Sequence, residues 1–177
     1  PSPIAPNPVA SPEIAILPET DSHVFYCETI QITPFRKLFT ALKEIIHETN
    51  VVITAEGIRI VAMDKSHTIL AHVWLYANKF EAFSCSKERI VIWMNVSNFF
   101  KIISAASSTD TLEIYIESKH YNNGIVLFLT IKIANKTHCS INHFRLIEPD
   151  AEELEYPDVV FSSILSIPST EFQKIVR

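Results

Sequence analysis

The chain has 177 residues, 47% of them hydrophobic and 20% charged, with a formal net charge of -5. That length suits one domain plus part of another, and the acidic balance argues against a generic nucleic-acid binder unless its few cations gather on one surface. Only two glycines occur, Gly57 and Gly124, so no GxGxxG or GxxxxGK[ST] loop can be written and nucleotide-cradling enzymes are excluded by composition.

Residues 1–22 hold six of the prolines between small and acidic residues, which predicts an extended, disordered arm. There is no charged n-region followed by an unbroken apolar stretch, as a signal peptide needs. No apolar run reaches the roughly 18 residues of a membrane span, so no membrane partner is expected. Cys27, Cys85 and Cys139 are far apart and odd in number, which fits free thiols in a reducing compartment.

Val24–Ile32 reads as a strand. Thr33 is placed to cap a helix with Pro34 at its first position. Phe35, Leu38, Phe39, Leu42, Ile45 and Ile46 then recur at helical spacing for about four turns. Arg36, Thr40, Lys43 and His47 fall on one stripe opposite that apolar face, with Glu44 and Glu48 diluting its charge. Val51–Ala55 and Ile58–Met63 flank a turn at Glu56-Gly57, and Thr68–Tyr76 makes a third strand. Phe80–Cys85 and Ile90–Asn95 are again strands. Val96–Ala106 is a second amphipathic helix, and Thr111–Glu117, Gly124–Ala134 and Thr137–Ile147 complete the set.

One unit, strand–helix–three strands, thus occurs twice. The predicted class is α+β, with the two helices on one face of antiparallel sheets. The division is an arm at 1–22, a folded domain at 23–147, an acidic connector at 148–160 and, at 161–177, the start of a second similar domain. That last piece is read as a strand at Phe161–Ile167, then a helix from Ser169 with Ser169 as cap.

Five segments carry a family resemblance. Phe35–Asp64 runs without a gap along the first helix and the following strands of the proliferating cell nuclear antigen (PCNA) family. Met63-Asp64-Lys65-Ser66-His67 matches its M-D-x-S-H motif. Asn95–Ile103 resembles its second helix, Glu152–Pro157 its interdomain linker, and Pro168–Phe172 the P-S-x-E-F opening of its second domain. The N-terminal arm has no counterpart in that pattern, and one residue is inserted between Cys85 and Asn95.

The resemblance implies the clamp fold and a non-enzymatic DNA sliding clamp, a processivity factor for DNA replication and repair. Such a clamp encircles duplex DNA as a ring trimer, closed through an edge strand of the first domain and one of the second that lies outside this chain. Implied partners are double-stranded DNA without sequence preference, DNA polymerase and other clients bearing PCNA-interacting peptides, and a clamp loader. The implied setting is the nucleus or a viral replication compartment. Carried over, the hole-facing cations are Arg36, Lys37, Lys43 and Lys101. Cations there would meet phosphates without reading bases. The matching client-pocket positions are Met63, His67, Thr68, Leu70, Leu154 and Tyr156. Met63 and Leu70 can form an adaptable apolar floor, although on composition alone they fit a core equally well. The alternative function is a clamp-derived structural or transcription-associated interaction protein that closes no ring.

No catalytic group, metal or cofactor is expected. His138, Cys139 and His143 are close in sequence, but His138 and His143 fall on opposite faces of a strand and no CxxC or HExxH supports them. Asp64 beside His67 could act as a general base, yet no nucleophile accompanies the pair.

Overall fold

The computed structural model of the chain describes residues 22–146, 160 and 162–176. The predicted arm, apart from Ser22, and nearly all of the connector lie outside these residues.

Strand β1 (His23–Thr29) leads into helix α1 (Ile32–Ile45). The helix begins a residue before the expected cap. Gln31 is the flanking residue and offers no side-chain cap, so Thr33 is not one. Pro34 stands third in the helix, which its missing N–H permits because the first N–H groups of a helix have no intrahelical acceptor. Phe35 makes the first such bond, to the Gln31 carbonyl at 3.2 Å. The end of β1 is fixed by the Thr29 hydroxyl, which accepts from the Gln31 N–H at 3.0 Å.

Next come β2 (Glu48–Thr54), β3 (Gly57–Met63), β4 (Leu70–Tyr76), β5 (Ala82–Cys85) and β6 (Ile90–Asn95). The β2–β3 turn is Ala55-Glu56, since Thr54 pairs with Gly57, one residue earlier than the sequence suggests. Thr68 falls in the loop before β4 instead of within the strand. Helix α2 (Val96–Ile103) is capped by Asn95, whose side chain accepts from the Asn98 N–H at 2.9 Å. It ends sooner than the periodicity through Ala106 implies.

Strand β7 (Thr111–Glu117) is followed by a small hairpin, β8 (Tyr121–Asn122) and β9 (Ile125–Val126). Its turn residues Asn123 (φ 47) and Gly124 (φ 91) both have the positive φ that a type I′ turn requires. Then come β10 (Phe128–Ala134) and β11 (Cys139–Arg145), so the expected strand at Gly124–Ala134 is broken at Leu127. Helix α3 (Ser169–Ile175) follows Pro168, with Ser169 inside it and not capping it. No strand forms over 162–168. A strand exists only within a ladder, and no neighbour pairs with this segment among the described residues.

All ladders are antiparallel. One sheet has the order β11-β10-β7-β1-β5, the other β4-β3-β2-β6. The two halves therefore exchange strands. β1 of the first half lies beside β7, with Tyr26 opposite Tyr115, and β6 of the second lies beside β2, with Val51 opposite Ile92. The alternate residues of both sheets, together with Phe39, Leu42, Val96, Phe99 and Ile103 of the helices, form one buried apolar cluster. The helices lie side by side, with the ring centroids of Phe39 and Phe99 4.8 Å apart and those of Phe35 and Phe39 5.0 Å apart. Offset aromatic pairs at such spacing add about 0.5–1.5 kcal/mol beyond the area they bury.

Candidate nucleic-acid interface and partner pocket

The helix pair turns one face to solvent. Lys37, Thr40, Ala41 and Glu44 of α1 and Asn98 and Lys101 of α2 are exposed on it. The four expected cations divide into two kinds. Arg36 is half-buried and its Nη1 donates to the Ala106 carbonyl at 2.9 Å, so it clips α1 to the chain leaving α2. Lys43 lies over the Phe100 ring at 5.2 Å and pairs with Glu44. Those contacts occupy both groups within the fold. Lys37 has no ion-pair or hydrogen-bond partner among the described residues. Lys101 reaches only the Asn98 amide oxygen, at 3.2 Å. Lys37 and Lys101 are therefore the cations free to meet an external anion. His47 lies past the helix end and does not continue the stripe.

The loop from Met63 to Leu70 is organised by one carboxylate. Asp64 accepts from the backbone N–H of Ile69 at 2.7 Å, of Thr68 at 2.8 Å and of Ser66 at 3.2 Å, and also from the Ser66 hydroxyl. Its backbone closes the same loop, with its N–H on the Ile69 carbonyl at 3.0 Å and its carbonyl on the His67 N–H at 3.0 Å. His67 turns through φ 57, which brings its Nδ1 to 3.2 Å from the Met63 sulfur. Met63 and Leu70 are partners across β3 and β4 and are half-buried, while Ile69 is 47% exposed. Four predicted pocket residues, Met63, His67, Thr68 and Leu70, are thus brought together at one end of the four-stranded sheet. Leu154 and Tyr156 lie outside the described residues.

Asp64 is a residue whose loop-closing role the sequence reading missed. Its signal was present in the D-x-S-x-T spacing, because a short carboxylate followed by small hydroxyl residues is a loop-closing pattern. Hydrogen bonds from the Ser66 hydroxyl and then the Ile69 amide hold its carboxyl well below the usual carboxylate range. A lowered folded-state pKa means that the loop order is fully present above the ordinary carboxylate pKa of about 4 and is lost as pH falls through the folded value. Asp64→Ala should therefore remove hydrogen-exchange protection from the Thr68 and Ile69 amides at neutral pH. The β2 amides should keep theirs. Equal loss in β2 would mean that Asp64 supports the whole sheet and not the loop.

The His138–Cys139–His143 region has other partners. His138 Nε2 lies 3.6 Å from buried Asp110, which also accepts from the Ser107 N–H at 2.8 Å and the Asn135 amide at 2.6 Å. His143 Nδ1 meets the hydroxyl of buried Thr130 at 3.2 Å. The described residues contain no group of three or more metal-ligating side chains.

A helix pair behind two antiparallel sheets, with strands exchanged between halves, can be compared with known proteins. Residues 25–153 match the family model described as "Proliferating cell nuclear antigen, N-terminal domain". The chain belongs to the PCNA family. Across 160 residues it is 32% identical to the "Probable DNA polymerase sliding clamp 1" of Paramecium bursaria Chlorella virus 1, covering 90% of this chain and 59% of that relative. Its fold matches the crystal structure of the proliferating cellular nuclear antigen from Entamoeba histolytica with a TM-score of 0.74 at 22% identity, over 86% of this chain and 59% of the other. The chain thus spans about three fifths of the length of these relatives. The PCNA-family match runs through both helices, both sheets and the Asp64 loop.

Proposed function

We propose that the chain is the leading part of a DNA sliding clamp. In this reading 23–147 is the first clamp domain, 148–160 the connector and 161–177 the start of the second. The clamp is not an enzyme. It holds duplex DNA by topology and tethers DNA polymerase and other replication and repair proteins. The observation that carries the reading is the paired-helix face, where Lys37 and Lys101, neither of them in an ion pair among the described residues, stand in the open. Flexible ammonium groups on a smooth helical face suit weak, sliding contact with phosphates and give no means of reading bases. The viral relative, a probable DNA polymerase sliding clamp, supports the same activity.

Ring closure in a trimer would use the free edge of β11, one of the two outer strands of its sheet, where Ile141 is 54% exposed. Clients would dock a short peptide at Met63, His67, Thr68 and Leu70, completed by Leu154 and Tyr156 of the connector. A clamp loader would open the ring, in a nucleus or a viral replication compartment. Light scattering on the full-length protein tests this. The expected mass is that of three protomers, with a labelled client-motif peptide bound to each. A monomer that still binds the peptide would point to a ringless interaction protein. A monomer that ignores it would remove the clamp reading.

A further inference from the structure

The two sheets differ in what they turn away from the core. On the inner strands of the five-stranded sheet, outward polar residues are paired within the fold. Lys132 pairs with Glu113 at 2.7 Å, and the Tyr26 hydroxyl donates to Glu28 at 3.1 Å. The four-stranded sheet is different. Val51, Ile60 and Ile92 belong to the core cluster, so their neighbours Val52, Arg59, Val61, Val91 and Trp93 point outward, and Trp74 stands opposite Arg59 across β3 and β4. Strands apolar on both faces are the pattern of a sheet covered on both sides, whereas a solvated face is polar. Yet Trp74 is 40% exposed, and none of these outward valines and tryptophans packs against the core. Both tryptophans of the chain lie on this face.

Arg59 sits among them, with Val52 opposite on one side and Trp74 on the other. It has no carboxylate partner or hydrogen bond among the described residues. Tryptophan and arginine are the residue types enriched in interface hot spots, and here they stand together in one patch. The patch runs along β3 through Val61 to Met63, the floor of the candidate client loop.

From this we infer that the outward face of the four-stranded sheet is a second docking surface, contiguous with the client loop. Its occupant is an extended protein segment that presents a carboxylate between apolar side chains. The apolar residues cover Val61, Val91 and Trp93, and the carboxylate takes the Arg59 guanidinium in the bidentate geometry that arginine favours. The inference rests on the client-loop reading for its position, and on the Arg59 patch itself for the chemistry.

The test uses the full-length protein and three labelled peptides. One carries the client docking motif alone. A second adds a short extension alternating valine and glutamate, and a third has lysine in place of the glutamate. The glutamate extension is expected to tighten binding about tenfold over the motif alone, and the lysine extension to add nothing. Arg59→Glu should abolish the gain and leave the motif-only affinity unchanged. Binding of the extended peptide should also shift the intrinsic tryptophan emission. No gain from the glutamate extension, or a gain that survives Arg59→Glu, overturns the inference. So does concentration-dependent self-association lost in Arg59→Glu, because the face would then meet a second copy. Absence of motif-only binding would overturn the client-loop reading alone, and an Arg59-dependent emission shift with the valine–glutamate extension by itself would still support this surface.

Discussion

Gly57→Ala is expected to destabilise the fold by roughly 3–5 kcal/mol, the sum of a strained backbone and a steric clash. Gly57 opens β3 with φ +147, a conformation that residues with a Cβ rarely adopt. A Cβ there would stand 2.2 Å from the Leu75 carbonyl oxygen and 3.0 Å from the Ala77 N–H nitrogen. Both are backbone atoms and cannot rotate away. Gly57 also pairs with Tyr76, and the Ala77 N–H donates to the Glu56 carbonyl at 2.8 Å, so relief would pull β4 from β3. That loss is a large share of the roughly 5–15 kcal/mol that holds a domain folded. Gly124 is the internal control. It has φ +91 but nothing within 4 Å of an added Cβ, so Gly124→Ala should cost only about 1–2 kcal/mol of backbone strain. Urea denaturation midpoints of the two variants check this. Equal midpoints would mean that β4 yields freely and that the close approach at Leu75 is not a constraint.

Both helices were legible in the sequence, because Phe35, Phe39 and Leu42 and then Val96, Phe99 and Ile103 repeat at a spacing only a helix puts on one side. Most strands were legible for the same kind of reason. Their pairing was not. The alternation of Tyr26 or Ile92 says that a strand exists but not which distant strand lies beside it, so the exchange of β1 and β6 between halves appeared only in three dimensions. Ends depended on details that periodicity does not carry. The Thr29 hydroxyl stops β1, and Asp64 folds Thr68 out of β4. The extended segment before α3 shows the converse, since strand-forming residues make no strand without a partner.

At the candidate sites the residue types were readable and their engagements were not. A helical wheel gives the angle at which Arg36 and Lys43 leave α1. It cannot say that the first reaches a carbonyl beyond α2 or that the second settles on Phe100. The apolar outward face of the four-stranded sheet was likewise hidden. Val51-Val52-Ile53 reads as a strand whichever residue faces in, and only the register shows that Val52, Val61 and Trp93 share the outward side.

This division of the cations leads to the other large effect. Lys37→Glu with Lys101→Glu should weaken retention on closed circular duplex by about a thousandfold at moderate salt. In a ring of three, six cations would become anions. The dependence of log affinity on log salt should flatten by roughly 5, at about 0.9 for each phosphate no longer neutralised. Neither lysine supports the fold, since Lys37 has no partner among the described residues and Lys101 touches only Asn98, so the melting temperature should stay near that of the parent. Arg36→Ala should behave in the opposite way. It removes the donor to the Ala106 carbonyl and should cost about 1–3 kcal/mol of stability, the penalty of an unsatisfied buried acceptor. The salt slope should then hold. Retention of the Lys37/Lys101 variant on DNA circles at parental levels would mean that the helix face does not line the hole. A fall in the salt slope for Arg36→Ala would mean that its guanidinium leaves the Ala106 carbonyl for phosphate when DNA is present.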